Sequence, residues 1–294
     1  MKHYKSGFAA IIGRPNVGKS TILNRMVGQK IAIATDKAQT TRRRIKGIMT
    51  NEQMQVVFVD TPGIHKPLDK LGEFLLDEAK LTLPDVDLIL FVVDASDPAG
   101  RGDKWIVENL LKKTKTPIII VLNKSDMIKD PLKREENLLS YKTLFETNLP
   151  CVKVSAKTGR NFDTLVENIT RKLPKGEKIY DEDELTDETM RDIAKELIRE
   201  KILLNTRDEI PHSVAVVIEK YEEKEDIDRI TANIFVEHDS QKGILIGKNA
   251  QMLKKIGMEA REEIEETAGK KVFLDLQVKV KKDWRSSSDA SDLY

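Results

Sequence analysis

The chain is poor in several things, and each shortage removes a class of explanation. It has one cysteine, Cys151, in 294 residues, so no intramolecular disulfide framework is available. A reducing compartment is the expected setting. Lys and Arg number 50 against 49 Asp and Glu, a formal net charge of +1, which excludes a chain-wide polycation or polyanion. Any nucleic-acid site must then be a local patch. Its longest apolar run, Leu88 to Val93, is far shorter than the ~20 residues a bilayer span requires. Met1 to Gly7 lacks the basic-then-apolar pattern of a secretory signal, so an intracellular, cytoplasmic product is expected. The 4 histidines are scattered, which argues against a zinc site.

In the first half, short Val- and Ile-rich runs alternate with longer amphipathic stretches. The runs are Phe8–Ile12, Val56–Val59, Leu88–Val93, Ile118–Leu122 and Val152–Val154. They lack strict alternation, which is how buried strands of a mostly parallel sheet read. Strand–helix alternation predicts a doubly wound α/β fold. The pattern stops near Leu173, and residues 174–186, with Pro174, Gly176 and the acidic run Asp181 to Glu184, read as a solvated linker. From 187 to 284 the expected order is α-β-β-α-α-β, with helices over Asp187–Leu204 and from the Gly247 region to Thr267. Residues 285–294, opening with a serine run, read as a tail.

Gly13-Arg14-Pro15-Asn16-Val17-Gly18-Lys19-Ser20, followed by Thr21, matches G-x-x-x-x-G-K-[ST] between a predicted strand and a predicted helix ending near Val27 and capped by Gly28. Glycines let backbone N–H groups converge on phosphates at a helix N-terminus. Lys19 is expected on the β- and γ-phosphates and the Ser20 hydroxyl on Mg²⁺. Asp60-Thr61-Pro62-Gly63, then Ile64, ends a strand where a carboxylate can support Mg²⁺ through water, and the Gly63 N–H can approach the γ-phosphate. Between these motifs lies a polar, basic loop from Thr35 to Arg44. Thr41 is the expected second hydroxyl ligand of Mg²⁺, with Thr40 the alternative, and Arg42 to Arg44 read as solvent-facing.

Asn123-Lys124-Ser125-Asp126 ends another strand. With the two phosphate motifs it resembles the guanine-specificity element of GTP-binding proteins. A carboxylate at Asp126 can accept both N1–H and the 2-amino group of guanine, and adenine would leave it unpaired. Asn123 would touch the base edge, and the Lys124 stem would lie along the ring. Ser155-Ala156-Lys157 resembles the last motif of those proteins, whose backbone reads guanine O6.

Asn16 within GRPNVGKS, Gln39-Thr40-Thr41-Arg42, DTPG followed by Ile64, and the C-terminal α-β-β-α-α-β region together resemble the Era family of the TrmE–Era branch, from about Lys5 to Trp284. The resemblance implies a P-loop GTPase domain over 5–173 and a type-II KH domain over 187–284. It implies binding of GTP and GDP, a 16S rRNA 3′ end as partner, and a role in 30S ribosomal subunit assembly. It also implies a K⁺ held with the help of Asn16, peripheral contact with a membrane, and a monomer. The KH loop would be Gly247-Lys248-Asn249-Ala250, where alanine stands in place of the family's fourth glycine. From Lys242 to Arg261 five basic residues, including Lys254 and Lys255, face one acid, Glu259, as phosphate contacts require.

Where Ras-like proteins carry a water-positioning glutamine, this chain has Ile64, so slow hydrolysis is expected. No side chain is assigned as general base. Lys19, Thr41 and Gly63 would support the transition state, and His65 reads as structural. Two other readings stay open: an RNA-binding assembly factor in which hydrolysis is incidental, and a tRNA-modification GTPase of the same branch.

Overall fold

The computed structural model describes residues 3–35, 41, 44–64, 66, 70–145, 147–207, 210–282 and 284. Expectations for Gln39, Thr40, Arg42, Arg43, His65 and 285–294 fall outside that set. The chain divides into two compact units, Met1–Asp187 and Glu188–Tyr294.

The first unit carries strands β1 (Lys5–Ile12), β2 (Ile45–Thr50), β3 (Met54–Asp60), β4 (Leu88–Asp94), β5 (Ile118–Asn123) and β6 (Cys151–Lys153). Its helices are α1 (Lys19–Val27), α2 (Lys70–Thr82), α3 (Arg101–Asn109), α4 (Pro131–Lys142) and α5 (Phe162–Lys172). The sheet order is β2-β3-β1-β4-β5-β6, and only the β2–β3 pair is antiparallel. Because side chains alternate along a strand, one run supplies two cores. Ala9, Ile11, Leu90 and Val92 pack on one face, and Ala10, Ile12, Phe91 and Val93 on the other. Covering both faces places the ends of β1, β3, β4 and β5 at a common edge, where ligands of open α/β sheets bind. Gly28 ends α1 in the left-handed region at φ 83°, its N–H bonded to the Asn24 carbonyl.

β2 is not among the strands read from the sequence. It is an edge strand in a basic stretch, and its apolar residues are interrupted by Lys46 and Gly47.

The stretch expected as a linker is mostly exposed, as expected, but it also bonds to the first unit. Gln55, on β3, is fully buried, so its amide needs internal partners. Its Oε1 accepts from the N–H groups of Ile179 (2.6 Å) and Tyr180 (2.9 Å), and its Nε2 donates to the Tyr180 carbonyl (2.9 Å). Further on, the Ile48 N–H donates to the Leu185 carbonyl (2.8 Å), and the Thr186 hydroxyl donates to the Lys46 carbonyl (2.6 Å). Lys46 pairs with Asp187 at 2.5 Å. Residues 174–187 therefore fold back along the first unit, with only Leu185 to Asp187 lying on the free edge of β2, and the unit ends after Asp187.

The second unit holds α6 (Met190–Asn205), the short α7 (Ile210–Ser213), β7 (Ala215–Glu222), β8 (Ile227–Val236), α8 (Asp239–Ile246), α9 (Gln251–Ala268) and β9 (Lys271–Val280). β7–β8 is antiparallel and β8–β9 parallel, in the order β7-β8-β9. α6 starts later than the pattern of apolar residues suggests, because the Thr189 hydroxyl caps it by accepting from the Asp192 N–H. Ile193, Leu197, Ile234, Ile256, Ile264 and Val272 form its core.

Candidate functional site

The loop between β1 and α1 is shaped by what its glycines omit. Gly18 has φ 93°, and a Cβ there would lie 2.3 Å from the Asn123 side-chain nitrogen. At Gly13 a Cβ would lie 2.3 Å from the Val92 carbonyl oxygen. Asn16 also lies in the left-handed region, at φ 63°, and is exposed. The loop ends at the start of α1, where free N–H groups and the helix dipole favour an anion.

Lys19 is buried, and its ammonium donates to the Arg14 carbonyl at 3.1 Å. Burial pushes its pKa down to about 8, against the pull of Asp60. Arg14 is itself anchored: its Nε meets Asp103 Oδ1 at 2.7 Å, and Asp103 is fully buried at the start of α3.

Three oxygen-bearing side chains converge below this loop. Ser20 Oγ lies 2.7 Å from Asp60 Oδ2 and 3.0 Å from Thr41 Oγ1, and Thr41 Oγ1 lies 3.4 Å from Asp60 Oδ2. All three residues are buried. Burial raises the Asp60 pKa to about 6, opposed by Lys19, Ser20 and Thr41. Asp60 Oδ1 has no hydrogen-bond partner among the described residues. Two hydroxyls and a carboxylate with a spare buried oxygen form the all-oxygen donor set of a hard divalent cation, so these residues fit Mg²⁺.

DTPG closes the site from the other side. Thr61 is fully buried and its hydroxyl donates to the Ile11 carbonyl at 2.8 Å, so it braces the strand end rather than facing the loop. A Cβ on Gly63 would come within 2.8 Å of Pro15 Cα, so the glycine lets the two loops touch. The Ile64 N–H donates to the Gly13 carbonyl at 3.0 Å. The Ile64 side chain is buried in the apolar cluster with Ile12 and Ala95, so only its backbone faces the loop. Val17 is likewise a core residue.

The expected base loop is tied to the phosphate loop. Asn123 Nδ2 donates to the Val17 carbonyl (2.9 Å), and its Oδ1 accepts from the Ala156 N–H (2.9 Å). One side chain thus joins three motifs. Asp126 is exposed at a short 3-10 turn, free to meet a ligand edge. Ser125 is buried, and its N–H donates to the Val154 carbonyl at 3.1 Å. Ser155 is fully buried, and its hydroxyl accepts from the Thr158 N–H at 3.2 Å. Lys157 is exposed, and Arg25 of α1 donates to the Ala156 carbonyl at 2.7 Å.

The second unit presents the loop between α8 and α9. Gly247 (φ 70°), Asn249 (φ 53°) and Ala250 (φ 59°) all have positive φ. Lys248 and Asn249 are exposed at its tip, and Lys254 and Lys255 are exposed on α9, with Lys255 3.7 Å from Glu259. Lys242 is half-buried. Beside the loop, Ala250, Leu253, Lys254, Gly257, Met258, Arg261, Leu274 and Leu276 line an open, largely apolar groove between α9 and β9. Apart from Ala250, Lys254 and Arg261, which belonged to the expected loop and basic patch, these groove residues were not expected in the site. Met258, 58% exposed on α9, lines this groove.

Two family models match stretches of this chain. Residues 8–124 match the family described as 50S ribosome-binding GTPase, and residues 209–285 match the KH domain family. A crystal structure of Aquifex aeolicus Era, a single-substitution variant bound to GDP and AlF4⁻, is 38% identical. It superposes with a TM-score of 0.94 over 99% of this chain and 98% of that one. A crystal structure of Era in complex with MgGDPNP and nucleotides 1506–1542 of 16S ribosomal RNA is 39% identical, with a TM-score of 0.95 over 99% of both chains.

Proposed function

This chain belongs to the Era family of GTPases, and on that premise we propose that its first unit binds and slowly hydrolyses GTP. Its second unit binds the 3′ end of 16S rRNA, and the pair acts as a switch in 30S subunit assembly. The observation that carries the nucleotide half is the buried Ser20–Thr41–Asp60 cluster, with an Asp60 oxygen unpartnered among the described residues, beside Lys19, which precedes Ser20 in α1.

In this reading the loop Gly13–Ser20 cradles the phosphates, and Lys19 leaves the Arg14 carbonyl for the β- and γ-phosphates. Ser20 and Thr41 hold Mg²⁺ directly and Asp60 holds it through water; the ion neutralises charge that develops on the phosphate oxygens. Gly63 donates its N–H to the γ-phosphate. Asp126 accepts from guanine N1–H and the 2-amino group, Asn123 touches the base edge, the Lys124 stem lies along the ring, and the 155–157 backbone reads O6. Ile64 is buried and apolar, so no side chain follows Gly63 to orient the attacking water, and the reaction is slow. Exposed Asn16 contributes to a K⁺ site that adds positive charge during hydrolysis.

On the second unit, Lys248 and Asn249 meet the phosphate backbone, Lys242, Lys254 and Lys255 add positive charge, and the groove beside Ala250 takes the bases of a single strand. The protein works as a monomer in the cytoplasm with peripheral membrane contact. No helix among the described residues is long and apolar enough to cross a membrane.

Multiple-turnover phosphate release from GTP, measured with and without a 16S rRNA 3′-end fragment and in KCl against NaCl, tests this. Slow turnover, faster with RNA and faster in KCl, is the expected result. No phosphate above buffer and no filter retention of the RNA would overturn it, and equal rates in the two salts would remove the K⁺.

A further inference from the structure

β4 and β5 run parallel with Asp94 opposite Asn123. That register places the two strand ends, and the loops leaving them, side by side, and the Ala95 N–H donates to the Asn123 carbonyl at 2.8 Å. Lys124 follows in the left-handed region at φ 60°, and its ammonium lies 2.6 Å from Asp94 Oδ2. The other oxygen, Asp94 Oδ1, accepts from the Ser96 N–H (2.9 Å) and the Ser96 hydroxyl (2.6 Å). The carboxylate is therefore held on both sides. Burial pushes the Asp94 pKa up, but Lys124 and Ser96 together hold it below the usual carboxylate value. Helix α4 steadies the backbone: Tyr141, fully buried, donates to the Asp94 carbonyl at 3.0 Å, and Asn137 donates to the Ala95 carbonyl at 2.9 Å.

A lysine is a strongly hydrated charge on a flexible four-carbon stem, so an unanchored one makes a poor wall for a ring. We propose that Asp94 is a positioning residue for the purine: by holding the Lys124 ammonium it sets the aliphatic stem along the base site before nucleotide arrives. The proposal rests on the reading of Asn123–Asp126 as the guanine loop. Preorganisation of this kind strengthens binding by removing an ordering cost at the moment of association. The stem meets the ring rather than the 2-amino group, so its effect is the same for guanine and hypoxanthine nucleotides.

The test measures Kd for GTP, GDP and ITP, and for XTP as well with Asp126→Asn, in the full chain carrying Asp94→Asn, Asp94→Glu, Lys124→Met, the Asp94→Asn/Lys124→Met pair, or Asp126→Asn. Asp94→Asn, which keeps size and polarity, should raise all three Kd values by about tenfold. The loss should fall on KM rather than kcat, and Asp94→Glu should recover part of it. On the Lys124→Met background Asp94→Asn should cost nothing further, whereas a merely structural carboxylate would cost the same in both backgrounds. No change on Asp94→Asn, equal loss in both backgrounds, or a loss that spares ITP would overturn the proposal. Asp126→Asn should weaken GTP and strengthen XTP. If Asp126→Asn leaves both unchanged, the guanine-loop reading fails and the proposal with it. If Asp126→Asn behaves as expected while Asp94→Asn is silent, the proposal alone fails.

Discussion

Two glycine-containing loops carry the chemistry of this protein, and they differ in how much freedom their surroundings leave. The loop at Gly13–Ser20 is enclosed. Asn123 binds the Val17 carbonyl, Arg14 is locked to buried Asp103, and Pro15 abuts Gly63. The loop at Gly247–Ala250 is open. Lys248 and Asn249 face solvent, and two of its three positive-φ positions carry a Cβ. Where a loop is over-determined by tertiary contacts, glycine is required by space. At the open tip, Asn249 and Ala250 meet only the backbone energy of a positive φ and stand in for glycine at a modest cost, while Gly247, where a Cβ would lie 2.9 Å from Met252 Cβ, is still held by space.

Gly18→Ala should break the enclosed loop. It places a Cβ where the Asn123 amide sits and asks alanine for φ 93°. GTP affinity should fall by about 100-fold or more, read by titration with a fluorescent GTP analogue. The tip of the open loop, Lys248 to Ala250, should tolerate shape changes but not charge changes. Lys248→Asp with Asn249→Asp shifts local charge by three units against phosphate and should weaken single-strand RNA binding by roughly 100-fold at moderate salt. Filter binding across a salt series should show a shallower slope, with GTP binding intact. Binding as tight as the parent would remove this loop from the RNA site.

The enclosed loop should also respond to pH in two opposite senses. The Asp60 pKa is raised from 3.8 to about 6 on folding, so between those values the folded state binds more protons than the unfolded one. Stability of the nucleotide-free protein should therefore fall as pH rises from about 4 to about 6 and level off above. Mg²⁺ needs the carboxylate ionised, so MgGDP affinity should fall by about tenfold per pH unit below pH 6. Melting curves with and without MgGDP at pH 5 and pH 7.5 measure both slopes, and parallel shifts would exclude Asp60 as the titrating group.

The smallest effect sharpens the comparison most. Ala250 has φ 59°, a region that costs a non-glycine residue roughly 1–2 kcal/mol. Ala250→Gly relieves that strain but adds about 0.5–1 kcal/mol of backbone entropy. The net gain is about 0.5–1 kcal/mol, seen as a Tm rise of a few degrees for the second unit. A fall in Tm would mean that the loop does not hold the left-handed conformation at Ala250.

What could be read without coordinates was the chemistry carried by neighbours in sequence. The phosphate loop, the DTPG and NKSD strand ends and the Gly28 cap depend on runs of a few residues whose backbone geometry is local. The buried strands were legible because burial on both sides selects Val and Ile. Tertiary structure decided the rest, because those contacts join residues far apart in the chain. β2 reads as polar surface until β3 pairs with it, and residues 174–186 read as a spacer until Gln55 takes partners for its buried amide at Ile179 and Tyr180. Asp94 ends its apolar run as visibly as Asp60 does, but its partner is chosen by strand register. Parallel pairing sets Asp94 opposite Asn123, and a one-residue slip would reverse which face each side chain occupies. Residue order alone supplied both charges; the register of β4 on β5 brought the carboxylate of Asp94 to the ammonium of Lys124.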